Sequence, residues 1–119
     1  MAGKDVILGL ISALLGFLGQ LAWRAAIPRG GELSLTWLLK LLVTNKLVAL
    51  GLALYAASTL AWLAALRVGE LSKLYPLISI NYALILVAGH VAFGETLTLA
   101  KVAGVALVTA GVLVIAITG

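Results

Sequence analysis

Cysteine is absent from the sequence, which excludes disulfides, thiol chemistry and cysteine-ligated metal sites. Acidic residues are almost as scarce, because the 119 residues include only four Asp and Glu, together with one histidine. So small a set leaves few groups for acid–base catalysis or for binding a metal ion. The sequence therefore predicts a protein that is not an enzyme and that has no catalytic residue, no metal site and no cofactor.

Charge of either sign is rare, whereas apolar residues make up 64% of the chain and the mean hydropathy is +1.24. A water-soluble domain of this size needs far more polar surface to cover its core. The net charge is +4, but the eight Lys and Arg residues are spread singly between apolar runs. This spacing is typical of anchors at a membrane interface, so we expect a lipid bilayer as partner and no nucleic acid.

Four apolar runs are long enough to cross a membrane. They cover residues 6–23, 47–66, 74–94 and 102–119, and none of them contains Asp, Glu, Lys or Arg. At about 1.5 Å per residue, the corresponding helices would be roughly 27–32 Å long, close to the ~30 Å of the hydrocarbon layer. The sequence predicts an all-α integral membrane protein, with residues 1–119 forming a single domain of four transmembrane helices.

The first connection is longer than the other two and contains an amphipathic segment. It begins with a helix-stopping sequence around Pro28. Ser34 is suited to be the N-cap of a helix over about residues 35–44, in which Trp37 and Lys40 fit the bilayer interface. We predict a short interfacial helix here, the alternative being that this segment extends the second span.

The basic residues that flank the spans divide unevenly between the two sides. Five lie on one side (Arg24, Arg29, Lys40, Lys46 and Lys101) and three on the other (Lys4, Arg67 and Lys73). The positive-inside rule would place the first and third connections in the cytoplasm. So small a bias also permits insertion in both orientations, and hence an antiparallel dimer.

The interior of every predicted span lacks charged side chains. Proton relays and ion pathways use such groups, so a carboxylate-driven proton antiporter is not expected. His90 lies near the end of the third span, where a hydrogen-bonded structural role is favoured over proton transfer. Gln20 and Arg24 share a helical face near the end of the first span. The Arg24 guanidinium can reach lipid headgroups or bind a phosphate bidentately, and both interpretations stay open.

The third span opens with a polar stretch. Tyr75, Ser79 and Tyr82 recur at helical spacing and therefore lie along one face. Pro76 is expected in the first turn, where it serves as a start signal. Asn81 borders the same face and must find a partner, a ligand or water within the hydrocarbon layer. Helix–helix hydrogen bonding and substrate contact explain Asn81 equally well.

The second and fourth spans carry two further patterns. Tyr55, Ser58 and Trp62 form a stripe of aromatic and hydroxyl groups that suits a cavity wall, although an aromatic packing seam is equally ordinary. Gly104 and Gly111, with neighbouring alanines, form a small-residue surface that allows close helix packing in lipid. We predict that this surface contacts another subunit, the alternative being packing within the chain.

Several of these motifs resemble the drug/metabolite transporter superfamily, nearly end to end. The run Phe-Gly-Glu-x-Leu-Thr at 93–98 and the glycines after it are similar to the closing loop and last helix of that superfamily. The spacing from Tyr55 to Tyr75 resembles the small multidrug resistance branch, in which tyrosines at these positions face the chamber of an antiparallel dimer. That branch carries an embedded glutamate in its first helix where this chain has Gly16, so proton-coupled drug export is not expected.

A closer resemblance is to the two-subunit flippase family for polyprenyl-phosphate-linked aminoarabinose, a lipid used in lipopolysaccharide modification. It rests on Gly19-Gln-Leu with the following Arg24, and on Tyr-Pro-x-x-Ser-x-Asn-Tyr at 75–82. The resemblance implies a multi-pass subunit in the inner membrane that works as a homodimer or as a heterodimer with a paralogue.

The same resemblance implies roles for individual residues. Arg24, with Lys46, would meet the lipid phosphate. The substrate-binding candidates as a whole are Gln20, Arg24, Lys46, Tyr55, Ser58, Trp62, Tyr75, Ser79, Asn81 and Tyr82. Two other functions stay open, a small multidrug-type exporter and a non-transporting accessory subunit of a membrane glycosyltransferase.

Overall fold

The computed structural model of the protein describes residues 3–118, and the regular secondary structure in this range is helical. Its helices are α1 (Lys4–Ala26), α2 (Leu35–Thr44), α3 (Lys46–Val68), α4 (Leu71–Ile78), α5 (Ile80–Phe93) and α6 (Leu99–Thr118). Within the described range, α1, α3, the α4–α5 pair and α6 are each long and apolar enough to cross a membrane. The predicted all-α fold with four spans is confirmed. Gly119, the last residue of the predicted fourth span, lies outside the described range.

The short helix predicted in the first connection is also confirmed. Ser34 is its N-cap, because the Ser34 hydroxyl accepts a hydrogen bond from the Trp37 N–H at 3.1 Å. Asn45 separates α2 from α3 with an extended backbone, and its side chain accepts hydrogen bonds from the N–H groups of Leu47 and Val48. Asn45 thus satisfies the free N–H groups at the start of α3, so α2 is a separate helix and not an extension of the second span.

The closest packing in the molecule is between α1 and α3, along what we call the α1–α3 seam. Gly19 and Gly51 face each other there, and a Cβ built on Gly51 would lie 3.0 Å from the carbonyl oxygen of Gly19. About two turns away along the seam, Ser12 and Ser58 each donate a hydroxyl hydrogen bond of 2.8 Å to the other's backbone carbonyl. Helices in lipid associate through such close approach and hydrogen bonding, because lipid tails are as apolar as the helix surfaces and the hydrophobic effect does not drive the helices together.

A second contact ties the start of α1 to α4 at the opposite end of the seam. The Asp5 carboxylate is buried, accepts a hydrogen bond from the Val6 N–H at 2.8 Å, and lies 3.6 Å from the Lys73 ammonium. Gly69 leaves room for it, since a Cβ on Gly69 would lie 2.5 Å from the Asp5 Cβ. Leu74, whose side chain is fully buried, packs beside this pair. These contacts fix the position from which α4 enters the bundle.

The third span is interrupted at Ser79, between α4 and α5. The helix begins at Leu71, so Pro76 lies inside α4 and not in its first turn as expected. Proline has no N–H to donate to the carbonyl one turn before it, which weakens the helix at this point. The Ser79 N–H then donates to the Pro76 carbonyl at 3.0 Å in a tighter turn, and α5 starts at the next residue.

Helix α6 packs against α4 and α5 and has no buried residue in its described length. Large apolar side chains are exposed on other helices as well, for example Leu60 at 70% and Val91 at 76%. In water such a surface would be unstable. The outer surface of the bundle is therefore one that lipid or another membrane protein has to cover.

Candidate functional site

Three small cavities adjoin one another between α1, α3, α4 and α5. The first, the serine cavity (about 240 Å³), is lined by Ser12, Ala13, Gly16, Tyr55, Ser58, Thr59, Trp62, Ile78 and Asn81. The second, the tyrosine cavity (about 200 Å³), is lined by Gln20, Tyr55, Tyr75, Ile78, Ser79, Asn81, Tyr82 and Ile85. The third, the arginine cavity (about 180 Å³), is lined by Gln20, Leu21, Arg24, Ile85, Gly89, Phe93 and Glu95. Neighbouring cavities share lining residues, and we call this row of three adjoining cavities the path.

This path brings together nine of the ten substrate-binding residues predicted from the sequence. The exception is Lys46, which is exposed at the start of α3 and does not line these three cavities. Lys46 nevertheless lies at the same end of the bundle as Arg24, since the end of α1 contacts the start of α3 through Trp23 and Val48. The position of Lys46 is thus at the membrane boundary, outside the path.

The wall of the tyrosine cavity is held rigidly by α1. The Gln20 Nε2 donates a hydrogen bond to the Tyr55 hydroxyl at 3.0 Å. The Tyr55 ring stacks on the Trp23 ring, with centroids 4.9 Å apart and planes inclined by 9°. The Trp23 Nε1 in turn donates to the Val48 carbonyl at 3.0 Å. Trp23 was not among the predicted site residues, yet it fixes the orientation of one that was.

Aromatic rings also mark the open side of the path. Trp62 and Tyr75 meet edge to face, with centroids 6.1 Å apart. Tyr75 and Tyr82 are 63% and 61% exposed, so their rings are free to contact a bound molecule or a second subunit. Ser58 is buried and its hydroxyl already donates to Ser12, so it contributes mainly to the α1–α3 seam.

Asn81 takes part in helix packing through one of its two polar side-chain atoms. Its Nδ2 donates a hydrogen bond to the Ala13 carbonyl at 3.0 Å, which joins α5 to α1. Its Oδ1 is buried and has no hydrogen-bond partner in the described part of the chain. Asn81 lines both the serine cavity and the tyrosine cavity. The amide nitrogen of Asn81 is therefore used in helix packing, while its amide oxygen is left without a partner beside the path.

Arg24 occupies the boundary end of the path, in the last turn of α1. Its guanidinium donates a hydrogen bond to the Ile27 carbonyl, just beyond the end of the helix. Since one such bond uses a single donor of five, the remaining donors can bind an anion in the arginine cavity. The geometry accommodates the phosphate interpretation of Arg24 as well as contact with lipid headgroups.

Glu95 is a lining residue of the arginine cavity that the sequence analysis did not single out. The chain turns back at Gly94, whose φ of +66° is left-handed, and the Glu95 N–H donates to the Gly89 carbonyl at 2.9 Å. The carboxylate then lies over Gly89 and forms an ion pair with Arg29 at 2.9 Å. A glycine cap followed by an acid, at an end rich in basic residues, is the signal that could have indicated this position.

A further cavity of about 450 Å³ lies between α5 and α6, and Gly104 is among its lining residues. His90 also lines it, with its Nδ1 3.0 Å from the Glu95 carbonyl oxygen, which fits the structural role expected for this histidine. A Cβ built on Gly104 or Gly111 would meet no described atom within 4 Å. The small-residue surface of α6 is thus open, and its predicted contact with another subunit stays a prediction.

The path is suited to bind a molecule that has an anionic end and a polar, uncharged or cationic end. Arg24 supplies a fixed positive charge at one end, and the serine and tyrosine cavities supply amide, hydroxyl and aromatic groups. None of the residues described as lining these two cavities is acidic. Residues 3–118 also contain no cluster of three or more His, Cys, Asp or Glu that could hold a metal ion.

Named relatives align with most of the chain. The probable 4-amino-4-deoxy-L-arabinose-phosphoundecaprenol flippase subunit ArnF of Pseudomonas fluorescens (strain Pf0-1) is 38% identical over 120 aligned positions, covering 94% of this chain and 87% of the relative. The protein of that name in Photorhabdus laumondii is 38% identical over 118 positions, covering 92% and 94%.

A third relative matches a shorter stretch at higher identity. The protein of the same name in Pseudomonas aeruginosa (strain LESB58) is 51% identical over 70 positions, or 57% of this chain. The chain spans about half the length of that relative, 51%. No family model and no solved structure matches the chain. The two matches that cover nearly the whole of both chains confirm the closer of the two resemblances, and the protein belongs to the family of ArnF flippase subunits.

Proposed function

We propose that the protein is one subunit of a flippase that moves 4-amino-4-deoxy-L-arabinose-phosphoundecaprenol across the inner membrane. Its relatives over nearly the full length are named as probable subunits of a flippase for this lipid. The observation that carries the proposal is the path itself, in which Gln20 and Ile85 join the arginine cavity to the tyrosine cavity. A lipid with a phosphate and a sugar requires those two environments side by side.

Each part of the substrate has a counterpart along the path. Arg24 binds the phosphate, with Lys46 contributing positive charge at the same end of the bundle. The sugar occupies the tyrosine cavity, where Gln20, Tyr75 and Asn81 contact its polar groups. The polyprenyl tail stays in the surrounding lipid, so a path with few polar groups is sufficient.

A second subunit completes the transporter. The word subunit in the relatives' names points to an assembly of more than one chain. In this chain, α6 has no buried residue over its described length, and Gly104 and Gly111 are open to close approach. A paralogue or a second copy that packs on α6 would cover this surface, and the exposed rings of Tyr75 and Tyr82 would then face an enclosed chamber.

Transport by purified protein in liposomes tests the proposal. The protein is reconstituted alone and with its paralogous subunit, and labelled substrate lipid is followed from one leaflet to the other. We expect the labelled lipid to move between the leaflets only when the protein is present, and we expect unlabelled substrate lipid to reduce this movement by competition. Absence of movement in both preparations contradicts the flippase function. Export of a cationic dye would instead favour the multidrug-type exporter, and co-purification with a glycosyltransferase without any transport would favour the accessory role.

A Glu95→Gln variant tests the charge balance at the boundary end. Glu95 is the acidic group that lines the arginine cavity. Its replacement should raise the affinity for undecaprenyl phosphate about fivefold, because removing one unit of negative charge near the phosphate at a hydrated site changes the binding free energy by ~1 kcal/mol. Stability should change by less than about 1 kcal/mol, because the Arg29–Glu95 pair is exposed. Titration of detergent-solubilised protein measures the affinity. Glu32→Gln, in the exposed first connection, is the control, and equal effects of the two variants would contradict the assignment.

A further inference from the structure

The orientation of the Asn81 amide follows from its contact with α1. The Nδ2 lies 3.0 Å from the Ala13 carbonyl oxygen, and only the amide nitrogen can donate to that acceptor. The Oδ1 must therefore face away from Ala13. It is buried and has no hydrogen-bond partner within residues 3–118. An unpaired buried acceptor is costly, most of all in a membrane where water does not compensate it.

The three aliphatic hydroxyl groups that line the serine cavity with Asn81 already donate to backbone carbonyls. Ser12 and Ser58 donate to each other's backbone carbonyls, and Thr59 donates to the Tyr55 carbonyl at 2.9 Å. These are the three aliphatic hydroxyls that line the serine cavity. None of them is available to the Asn81 Oδ1 without giving up a bond to the backbone. Within residues 3–118 no donor lies within hydrogen-bond distance of this oxygen, which leaves it available to a donor of a bound molecule.

Asn81 lies in the part of the path where the two polar cavities meet. Asn81, Tyr55 and Ile78 line both the serine cavity and the tyrosine cavity. Helix α5 starts at Ile80, directly after the break at Ser79, and carries Asn81 in its first turn. The Asn81 side chain therefore borders both the serine cavity of about 240 Å³ and the tyrosine cavity of about 200 Å³.

We propose that the Asn81 Oδ1 accepts a hydrogen bond from an N–H or O–H group of the sugar headgroup and thereby makes the site selective for headgroups that present a donor. The inference rests on the proposed flippase function and adds to it the residue that distinguishes a sugar-bearing lipid from the bare lipid phosphate. An amide oxygen is suited to this, since it accepts from a hydroxyl as well as from an ammonium group. The nearby Trp62 and Tyr75 rings favour a cationic donor further.

The test is a ratio of two affinities in the same protein. Binding of the aminoarabinose-bearing lipid and of undecaprenyl phosphate alone is measured for the wild-type protein and for Asn81→Leu. We expect the variant to bind the sugar lipid about tenfold more weakly, the effect of one lost hydrogen bond with a buried group, and to bind undecaprenyl phosphate within about twofold of wild type. Thr109→Val is the control and should keep the wild-type ratio, because Thr109 is half-buried, donates to the Val105 carbonyl of its own helix and does not line the path.

The ratio separates recognition from a structural role. If Asn81 acts only through its bond to Ala13, the variant loses affinity for both lipids equally, and the proposal is overturned. If the ratio of the two affinities is the same in Asn81→Leu as in the wild-type protein, and the wild-type protein transports the sugar lipid, the proposal is overturned while the flippase function stands. Failure of the wild-type protein to transport the sugar lipid removes both. An N-trimethylated headgroup identifies the donor, because its nitrogen has no N–H. A selectivity lost on trimethylation assigns the donor to the amine, and a retained selectivity assigns it to a hydroxyl.

Discussion

An Arg24→Ala variant should bind and transport the phosphate-linked lipid about 10- to 100-fold less well than the wild-type protein. Hydrogen bonds to charged groups contribute about 1.5–3 kcal/mol each, and Arg24 is the basic residue that lines the path. The arginine cavity would keep the Glu95 carboxylate after the substitution, so the remaining field would repel a phosphate. Titration with undecaprenyl phosphate and the liposome transport assay both measure the effect.

Two further substitutions separate a specific role of Arg24 from a general effect of charge. Arg24→Lys keeps the positive charge but loses the planar pair of donors, so it should recover only part of the affinity. Arg67→Ala removes an exposed basic residue from the last turn of α3, at the opposite end of the bundle, and should leave binding unchanged. Equal loss in the Arg24 and Arg67 variants would show that surface charge, and not the arginine cavity, attracts the lipid.

A Gly51→Leu variant should lose about 3 kcal/mol of unfolding free energy, at the upper end of the usual cost of overpacking. A Cβ at this position would collide with the indole ring of Trp23 and would lie 3.0 Å from the Gly19 carbonyl oxygen, so α1 and α3 would have to separate. Displacement of Trp23 would also release the Tyr55 ring that stacks on it, so transport should fall as well. Unfolding in detergent, followed by circular dichroism, measures the stability.

Gly111→Leu is the matched control for this substitution. It places the same side chain on a transmembrane glycine that has no described atom within 4 Å of its Cβ position. The unfolding free energy of the single chain should stay within about 0.5 kcal/mol of wild type, as for a surface change. Association with the second subunit should weaken if that subunit packs on α6. A loss of single-chain stability as large as that of the Gly51 variant would contradict the α1–α3 seam as the tightest contact.

The number of spans and the short helix between the first two were predictable because they depend on local properties. Hydrocarbon thickness sets the length of an apolar helix, and the sequence contains four uncharged runs of that length. The start of α2 was predictable for a similar reason, since Ser34 offers its hydroxyl to a backbone N–H only three residues ahead. Most residues that line the path were predictable too. Polar side chains are rare in these spans, and those that occur are expected to face the interior of the bundle and not the lipid.

The features that were not predicted depend on contacts between distant residues. Glycines occur in several spans, and their local sequence does not show which of them lie at a close helix contact. Gly19 and Gly51 lie against each other, whereas a Cβ on Gly104 or Gly111 would have no described atom within 4 Å. The interruption at Ser79 follows Pro76, which lies inside α4 because that helix starts at Leu71, three residues before the predicted span. The added turn packs against α1, a contact that the sequence pattern does not reveal.

Glu95 was missed for the same reason. Its place in the arginine cavity is set by a turn at Gly94 and by an arginine 66 positions away in the chain. Hydropathy and motif spacing carry no information about partners so far apart. Only the folded chain reveals that an acid in a short loop becomes part of the binding path.

The α1–α3 seam has a consequence for biosynthesis. Its two helices end at Val68, so the tightest contact of the protein can close while the remaining spans are still being synthesised at ~5–20 residues per second. The later spans then meet a pair that is already formed, and α4 and α5 pack directly on α1. The α1–α3 pair can thus serve as the template on which the rest of the bundle assembles.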